Sequence, residues 1–452
     1  MKKRTVAIIV LVIVSFGLAA IADDRLPSDL QDYSPPFGPS PYDDPASVLG
    51  RPTTWILGVP GPGFPGGDFA SSMVFGAWNT DLSGNKLVTT INSSGYITVR
   101  FDTPIEHDPA NWFNKDFIVF GNSAFAAIGV VYANSNMETL KINNGAAGTW
   151  EPSVVSVSQD NVTWYDYTSG PYADDFAPTQ AFTWDRDAHN WDLELDWTKP
   201  LDPALTKSSF AGKWVADAID MYNGSAGGTA FDISGFPLAL NGNGRKWIQF
   251  VKITGSGGEV DAISRVSRVP TPTAIAAAKL LPDRASVRLA EGIVTASKAE
   301  LGDCLYIEDP NRACGIKVTG RSIGLGRRVI VGGVMTTVNG ERKIKAMSVE
   351  DLGTGTVAPL AMTGKAFGQG LGVTGLLVRT SGKAGSIDQV KRTFTVDDGS
   401  GVKVKCIWPT GTWFELPGNG VPVVVTGIAS CELDAQQHVI PTLRMWTQAR
   451  TQ

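Results

Sequence analysis

Histidine is almost missing from this sequence: His107, His189 and His438 are the three in 452 residues, and no two of them stand four apart. A Ser-His-Asp triad or a histidine-ligated zinc ion needs at least one well-placed imidazole, and this spacing marks neither. Cysteine is scarce too, with Cys304, Cys314, Cys406 and Cys431 forming no C-x-x-C pair and no histidine at ligand spacing, which argues against a zinc site. Apart from Val6–Ala20 there is no long apolar run, and that one, at about 15 residues, falls short of the roughly 20 a membrane-crossing helix needs. Stretches rich in Ala, Leu, Glu and Lys are few, whereas there are 50 glycines and 27 prolines, a usage that opposes a helical protein and suits short strands joined by tight turns.

The short apolar run has its own meaning. Lys2, Lys3 and Arg4 precede it, and Ala20 and Ala22 supply small residues after it, as in a cleavable secretory leader over residues 1–22. The mature chain is then expected to begin at Asp23, outside the cytoplasm, whether extracellular, at the cell surface or in a periplasm. No cysteine follows the cleavage site, so a lipid anchor is not expected, and the polar stretch from Met445 to Gln452 offers no anchor either. No integral membrane segment is expected in the mature chain.

Charge is unevenly spread. Residues 23–284 carry 17 basic and 30 acidic side chains, whereas residues 285–452 carry 19 and 14. The two parts are therefore expected to meet different partners. A chain of this length accommodates two to four domains at roughly 100 to 200 residues each.

Residues 23–50 are rich in Pro, Asp and Ser, as in SPPFGPSPYDDP, and read as an extended arm over the first domain. From 51 to 269, GYITVRFDTPI, KDFIVFGN, SVVSVSQDNVTWYDY, WDLELDW and WIQFVKITG alternate apolar and polar positions as half-buried strands do. Such strands bury their faces by stacking as two sheets, which predicts a β-sandwich. Residues 270–286, within VPTPTAIAAAKLLPDRAS, break the composition and read as a linker carrying one short helix.

Beyond the linker the sequence repeats itself, once over 287–352 and again over 370–449. EGIVTAS, CLYIEDPNRACGIKV and GRRVIVGGVMTTVNGERKIKAMSV correspond to TGLLVRTSGK, RTFTVDDGSGVKVKCIW and GVPVVVTGIASCELDAQQHVIPTLRMW. Five strands in about 70 residues predict a small closed barrel in each copy. The expected fold is all-β: a jelly-roll-like sandwich followed by two small barrels.

The YIEDPNRACGIKV and FTVDDGSGVKV hairpins, each followed by VIVGGV or VVVTGI, resemble tandem OB-fold barrels of secreted bacterial proteins. FDTPI, DFIVFGNSAF, EPSVVSVSQDNVTWYDY, GGTAFDIS and WIQFVKITGSGGEVDAI resemble a jelly-roll-like domain of bacterial surface proteins, in the style of discoidin-type carbohydrate-binding modules. The second resemblance implies extracellular recognition and admits a bound calcium ion, without fixing a ligand.

Four cysteines in an exported chain point to two disulfides, and domain-local pairing, Cys304 with Cys314 and Cys406 with Cys431, is the simplest of three connectivities. Hard oxygen ligands are what the acidic region has in excess, and Asp116, Glu151, Asp232, Glu259 and Asp261 stand at the edges of the sandwich segments. They are the candidate calcium ligands, although no contiguous EF-hand loop exists. Ten of the 13 tryptophans fall in the sandwich. Trp164, Tyr165, Trp184 and Trp191 are the candidate sugar-stacking surface, with core packing as the competing role, since Trp191, Leu193, Leu195 and Trp197 share one strand face.

Two motif matches lack their structural context. GPGFPG (Gly61, Gly63, Gly66) satisfies G-x-G-x-x-G, but no helix follows to receive a pyrophosphate. GRSIG (Gly320, Ser322, Gly324) satisfies the nucleophile-elbow pattern, but it precedes a strand rather than a helix. In the barrels, Arg327, Arg328, Arg342, Lys343, Lys345, Lys403 and Lys405, with Tyr306, Phe394, Trp408, Trp413 and Trp446, form the alternative of a single-stranded nucleic-acid surface. A carbohydrate hydrolase using two sandwich carboxylates is the second alternative. The leading expectation is a secreted, non-catalytic recognition or adhesion protein for a surface glycan or protein.

Overall fold

The computed structural model describes residues 23–58, 66–302, 304–368, 372–408 and 416–446. The leader, Gly61 and Gly63 of GPGFPG, and Trp413 lie outside the described residues. The chain is all-β, a sandwich followed by two barrels. No helix among the described residues is long and apolar enough to cross a membrane.

The sandwich is built from eight principal strands: β1 (Asp29–Ser34), β2 (Tyr96–Glu106), β3 (Phe117–Phe120), β4 (Val154–Ser158), β5 (Trp164–Asp166), β6 (Thr229–Phe231), β7 (Trp247–Thr254) and β8 (Ala262–Arg265). One sheet runs β1-β2-β7-β4-β5 and the facing sheet β6-β3-β8, all antiparallel. Alternate residues Val99, Phe101, Val155, Val157, Val251 and Ile253 of the first sheet meet Phe117, Val119, Phe231 and Ile263 of the second in one core. At about 1.5–3 kcal/mol for each buried side chain, this face is the main force closing the sandwich.

The smaller sheet is buried on both sides, which explains the unbroken FIVF of β3. Its outer residues Ile118 and Phe120 pack with Leu195, Trp197 and Met347. A further layer, with Phe125, Ile142, Trp184, Phe210 and Tyr222, is closed by the helix α1 (Val215–Met221). The amino-terminal arm is more regular than its composition suggests. β1 pairs with β2 as an edge strand, and Val48 is fully buried.

The first barrel comprises β9 (Ser286–Arg288), β10 (Gly292–Ala296), β11 (Leu305–Glu308), β12 (Gly315–Thr319), β13 (Arg327–Val338) and β14 (Glu341–Thr354). Five of these close in the order β10-β11-β12-β14-β13, with β12 and β14 parallel and β9 attached outside β13. The second copy repeats the plan with β15 (Leu360–Ala361), β16 (Leu377–Asp388), β17 (Thr393–Asp397), β18 (Val404–Ile407), β19 (Pro422–Leu433) and β20 (Val439–Met445). It closes as β16-β17-β18-β20-β19, again with its third and fifth strands parallel. The segment between sandwich and barrel belongs to the first barrel, because Ile275 and Ala278 of its short helix are buried in that barrel's core.

The barrels touch through a shared cluster of Ala296, Leu301, Cys304, Tyr306, Leu377 and Ile428. Glycine is required here: a Cβ on Gly315 would lie 2.2 Å from the carbonyl oxygen of Gly375. The Tyr306 hydroxyl donates to Glu341 Oε1 at 2.7 Å, and the Ser430 hydroxyl donates to the same oxygen at 2.9 Å.

Neither expected disulfide is formed. Cys304 lies in the cluster between the barrels with Arg444 Nη1 3.0 Å from its sulfur, whereas Cys314 packs inside the first barrel. Cys406 is buried inside the second barrel, whereas Cys431 is half-buried and its thiol is pushed up to about 11 by burial and by the Glu341 carboxylate. The members of each expected pair thus lie in different packing environments although sequence spacing brings them near.

Candidate functional site

Two groups of acidic side chains converge in the sandwich, and four of the five candidate calcium ligands fall in them. The first group is Glu151, Asp174 and Glu259, whose ligand oxygens lie within 4.8 Å of one another. Glu151 precedes β4, Asp174 follows the β5 hairpin, and Glu259 begins the two-residue strand Glu259–Val260 that lies between β7 and β8 and pairs with Thr89–Thr90, so three distant segments build it. Asp174 accepts from the Ser123 and Glu259 amides at 2.8 and 3.0 Å. Glu259 Oε1 accepts from the Thr90 hydroxyl at 2.6 Å, whereas its Oε2 is buried without a hydrogen-bond partner.

Burial raises the Asp174 carboxyl to about 7 and the Glu259 carboxyl to about 8, and the neighbouring Glu151 charge adds to both. Glycine keeps this space open: a Cβ on Gly121 would lie 2.4 Å from Asp174 Oδ1, and one on Gly258 would lie 2.2 Å from the Glu151 carbonyl. Three carboxylates, adjacent backbone carbonyls and an orphaned buried oxygen fit a hard divalent cation such as calcium.

The second group, His107, Asp116 and Asp232, is satisfied internally. His107 Nδ1 lies 3.2 Å from both Asp116 oxygens and 3.7 Å from Asp232 Oδ1, and the Ile233 amide donates to Asp116 at 2.8 Å. Burial raises the Asp116 carboxyl to about 6, and the Ile233 amide and His107 hold it from rising further. This arrangement pins β3 to the chain after β6. Asp261 joins neither group. Fully enclosed and raised to about 7 by burial, it accepts from the amide and hydroxyl of Thr53 at 2.9 and 2.8 Å.

The candidate sugar-stacking surface is largely covered. Trp184 is buried, with Nε1 donating to Glu138 at 3.1 Å, and Trp191 packs edge-on against it at 5.1 Å between ring centroids. Both rings cover the layer closed by α1, so core packing prevails over ligand contact for them. Tyr165 packs on Phe236 at 5.7 Å, and the half-exposed Trp164 carries the Lys252 ammonium 4.1 Å from its centroid. Trp214 and Phe113, which the sequence did not single out, are 46% and 39% exposed.

A cleft of about 970 Å³ separates the sandwich from the first barrel. Phe113, Asp185, Arg186, Lys199, Asp217 and Asp220 line its sandwich wall, and Thr319–Ile323, Lys343, Lys345 and Asp351 line its barrel wall. Gly320 and Ser322 of GRSIG lie here, after β12 and ahead of β13, with no histidine in the lining and no helix following. The lining therefore offers the serine no histidine base. Neither carboxylate group lines this cleft.

The basic stretch expected to meet nucleic acid is mostly spent on ion pairs. Arg327 pairs with Asp351 at 2.6 Å, Arg328 with Glu291 at 2.7 Å, Arg342 with Asp283, Lys345 with Asp185 and Asp192, Lys403 with Asp397 at 3.7 Å and Lys405 with Glu432. Tyr306, Phe394 and Trp408 are buried and Trp446 is half-buried, so these rings do not form an exposed stacking platform.

Set beside known proteins, the chain matches no family model and no curated protein. One solved structure, described as "Structural mimicry for functional antagonism", aligns over 39% of this chain and 98% of its own at 10% identity, with a TM-score of 0.22. A likeness this slight carries no argument about fold or function.

Proposed function

We propose that the chain is a secreted, non-catalytic recognition protein that binds a surface glycan or protein through the cleft between its sandwich and first barrel. The single observation that carries this reading is the cleft itself: roomy, lined by charged side chains, walled by two domains and without a histidine in its lining. The hydrolase alternative loses ground because the two converging carboxylate groups stand outside the cleft and, of the aspartates that line it, Asp185, Asp217, Asp220 and Asp351 are held in ion pairs. Spent cations and buried rings weigh against the nucleic-acid alternative.

In this reading a calcium ion braces the sandwich at Glu151, Asp174 and Glu259, where it offsets carboxylate repulsion without contacting the ligand. The repeated closure, with third and fifth strands parallel, supports reading the two barrels as OB-fold barrels, and the two stacked sheets support a jelly-roll-like module of carbohydrate-binding style. The test is a glycan array and a cell-wall pull-down with residues 23–452, alongside Ser322→Trp, which fills the cleft from an exposed position. Retention by the parent chain and loss in the variant are expected; silence from the parent in both assays overturns the proposal.

A further inference from the structure

We infer that the cleft is a site for an acidic saccharide, in which Lys343 takes a carboxylate or sulfate substituent and Phe113 stacks on the apolar face of a sugar ring. This rests on the recognition reading and names the class of ligand.

The charge pattern of the cleft leads to it. Arg186 is held by Asp217 and Asp220, Arg321 by Asp220, Lys345 by Asp185 and Asp192, and Lys298 stands 3.8 Å from Asp187. The Lys199 ammonium donates to the Asn223 carbonyl at 2.6 Å. Lys343 differs: among the described residues its ammonium has no hydrogen bond and no ion pair. Its neighbours increase the need for an anion. Lys317 is opposite it in register and Lys345 is two residues along the same strand; burial together with these two charges disfavours its charged form, and Glu341 and Asp185, which pair with those two lysines, only partly oppose this. Thr319, opposite Lys345 on the same outer face, has a buried hydroxyl with no partner. An unpaired cation and an unpaired hydroxyl therefore share one face of the barrel at the cleft.

The sandwich wall supplies the second element. Phe113 has φ +52° and Asn114 has φ +57°, both in the left-handed region that side chains other than glycine occupy at a cost. Phe113 lines the cleft as a 39% exposed residue, its ring 6.1 Å from that of Trp112. An apolar ring held at the wall of a polar cleft suits the C–H face of a sugar. The carboxylates also select: Asp202, Asp217 and Asp351 accept hydrogen bonds from sugar hydroxyls but would repel an acidic peptide rich in charge. A saccharide with sparse anionic groups and many hydroxyls matches both.

The test is titration calorimetry of residues 23–452 at low salt with three probes: a galactose tetrasaccharide carrying a single uronate, its carboxyl-reduced neutral counterpart and a monosulfated galactose tetrasaccharide. The first and third distinguish a carboxylate from a sulfate. At least one acidic probe is expected to bind more tightly than the neutral one, and to weaken as salt rises. Lys343→Met is expected to lose about ten- to a hundredfold of that affinity, Lys343→Arg to retain most of it, and Phe113→Leu to weaken every probe that binds. Thermal melts establish that each variant is folded. Equal binding of acidic and neutral probes, or an acidic preference unchanged in Lys343→Met, overturns the inference and leaves glycan recognition standing. Failure of all three saccharides overturns it too, and leaves the recognition reading to be decided by the glycan array and the cell-wall pull-down.

Discussion

The ammonium of Lys345 on the first barrel stands 2.6 Å from the carboxylate of Asp192 in the sandwich, with Asp185 2.9 Å away on its other side. Burial opposes the charge on Lys345, and the two carboxylates more than restore it. Nearby, the Val349 amide donates to Asn223 Oδ1 at 2.7 Å, and Met347 packs into the outer layer of the sandwich. Charge and apolar contact thus fix one domain on the other, and the cleft depends on that fixing.

A double-mutant cycle on Lys345→Met and Asp192→Asn is expected to give a coupling of about 1 kcal/mol, above the usual exposed pair because both side chains are mostly covered. Differential scanning calorimetry reads it directly. In Lys345→Met the sandwich and barrel transitions are expected to move apart. Strict additivity of the two single variants would remove the clamp.

Alkaline pH is expected to weaken the sandwich, and calcium to restore it. Asp174 and Glu259 rise from 3.8 and 4.5 to about 7 and about 8, so the folded chain holds these protons more tightly than the unfolded chain. Their contribution is complete below about pH 4 and is lost as pH climbs through 7 and 8. At pH 8.5, calcium a hundredfold above its Kd is expected to raise the sandwich Tm by about 5–10 °C, whereas at pH 5 protons hold the site and the shift is small. Glu259→Gln removes one charge and is expected to abolish the calcium response while softening the alkaline loss. A melt at pH 8.5 indifferent to calcium would contradict the assignment.

Strand content, the sandwich and the internal repeat were legible because each shows in local alternation: Val155 and Val157, or Val329 and Val331, point into a core every second residue. The group of Glu151, Asp174 and Glu259 was half legible. Glu151 and Glu259 stand out at strand edges, but Asp174 is brought to them by the fold, and its sole local sign is a pair of acids in the otherwise apolar YADDFA. Tryptophan exposure was not legible. Trp184 and Trp191 occupy a two-stranded hairpin whose inward face is decided by α1, which is distant in sequence. The fate of the basic stretch was equally hidden, since Asp185 and Asp192 reach Lys345 from another domain.

The cysteines provide a prediction that separates geometry from compartment. The proposed export would favour bridges, yet the strands hold the expected partners in different environments. Alkylation of unfolded protein without reductant is expected to add four adducts by mass, and dithiothreitol is expected to leave the Tm unchanged. Two adducts and a reductant-sensitive melt would show that a bridge forms after all.

The contact between Thr53 and Asp261 ties the chain that follows the amino-terminal arm into the sandwich, and its energetics depend on pH in a way that identifies it. Asp261 is wholly enclosed, and the two Thr53 hydrogen bonds partly oppose the rise in its pKa that burial causes. Thr53→Val keeps the shape and removes the hydroxyl, which costs about 1.5–3 kcal/mol when the carboxylate is charged. The same change raises the folded-state pKa beyond its value of about 7, so the variant continues to lose stability over a range where the parent has finished. At pH 5 Asp261 is protonated in both proteins, and the missing hydroxyl matters less. The difference in Tm between parent and variant is therefore expected to be small at pH 5 and to widen at pH 8.5. A constant difference across that range would mean that Asp261 does not change its protonation state between the two pH values, and would overturn this account.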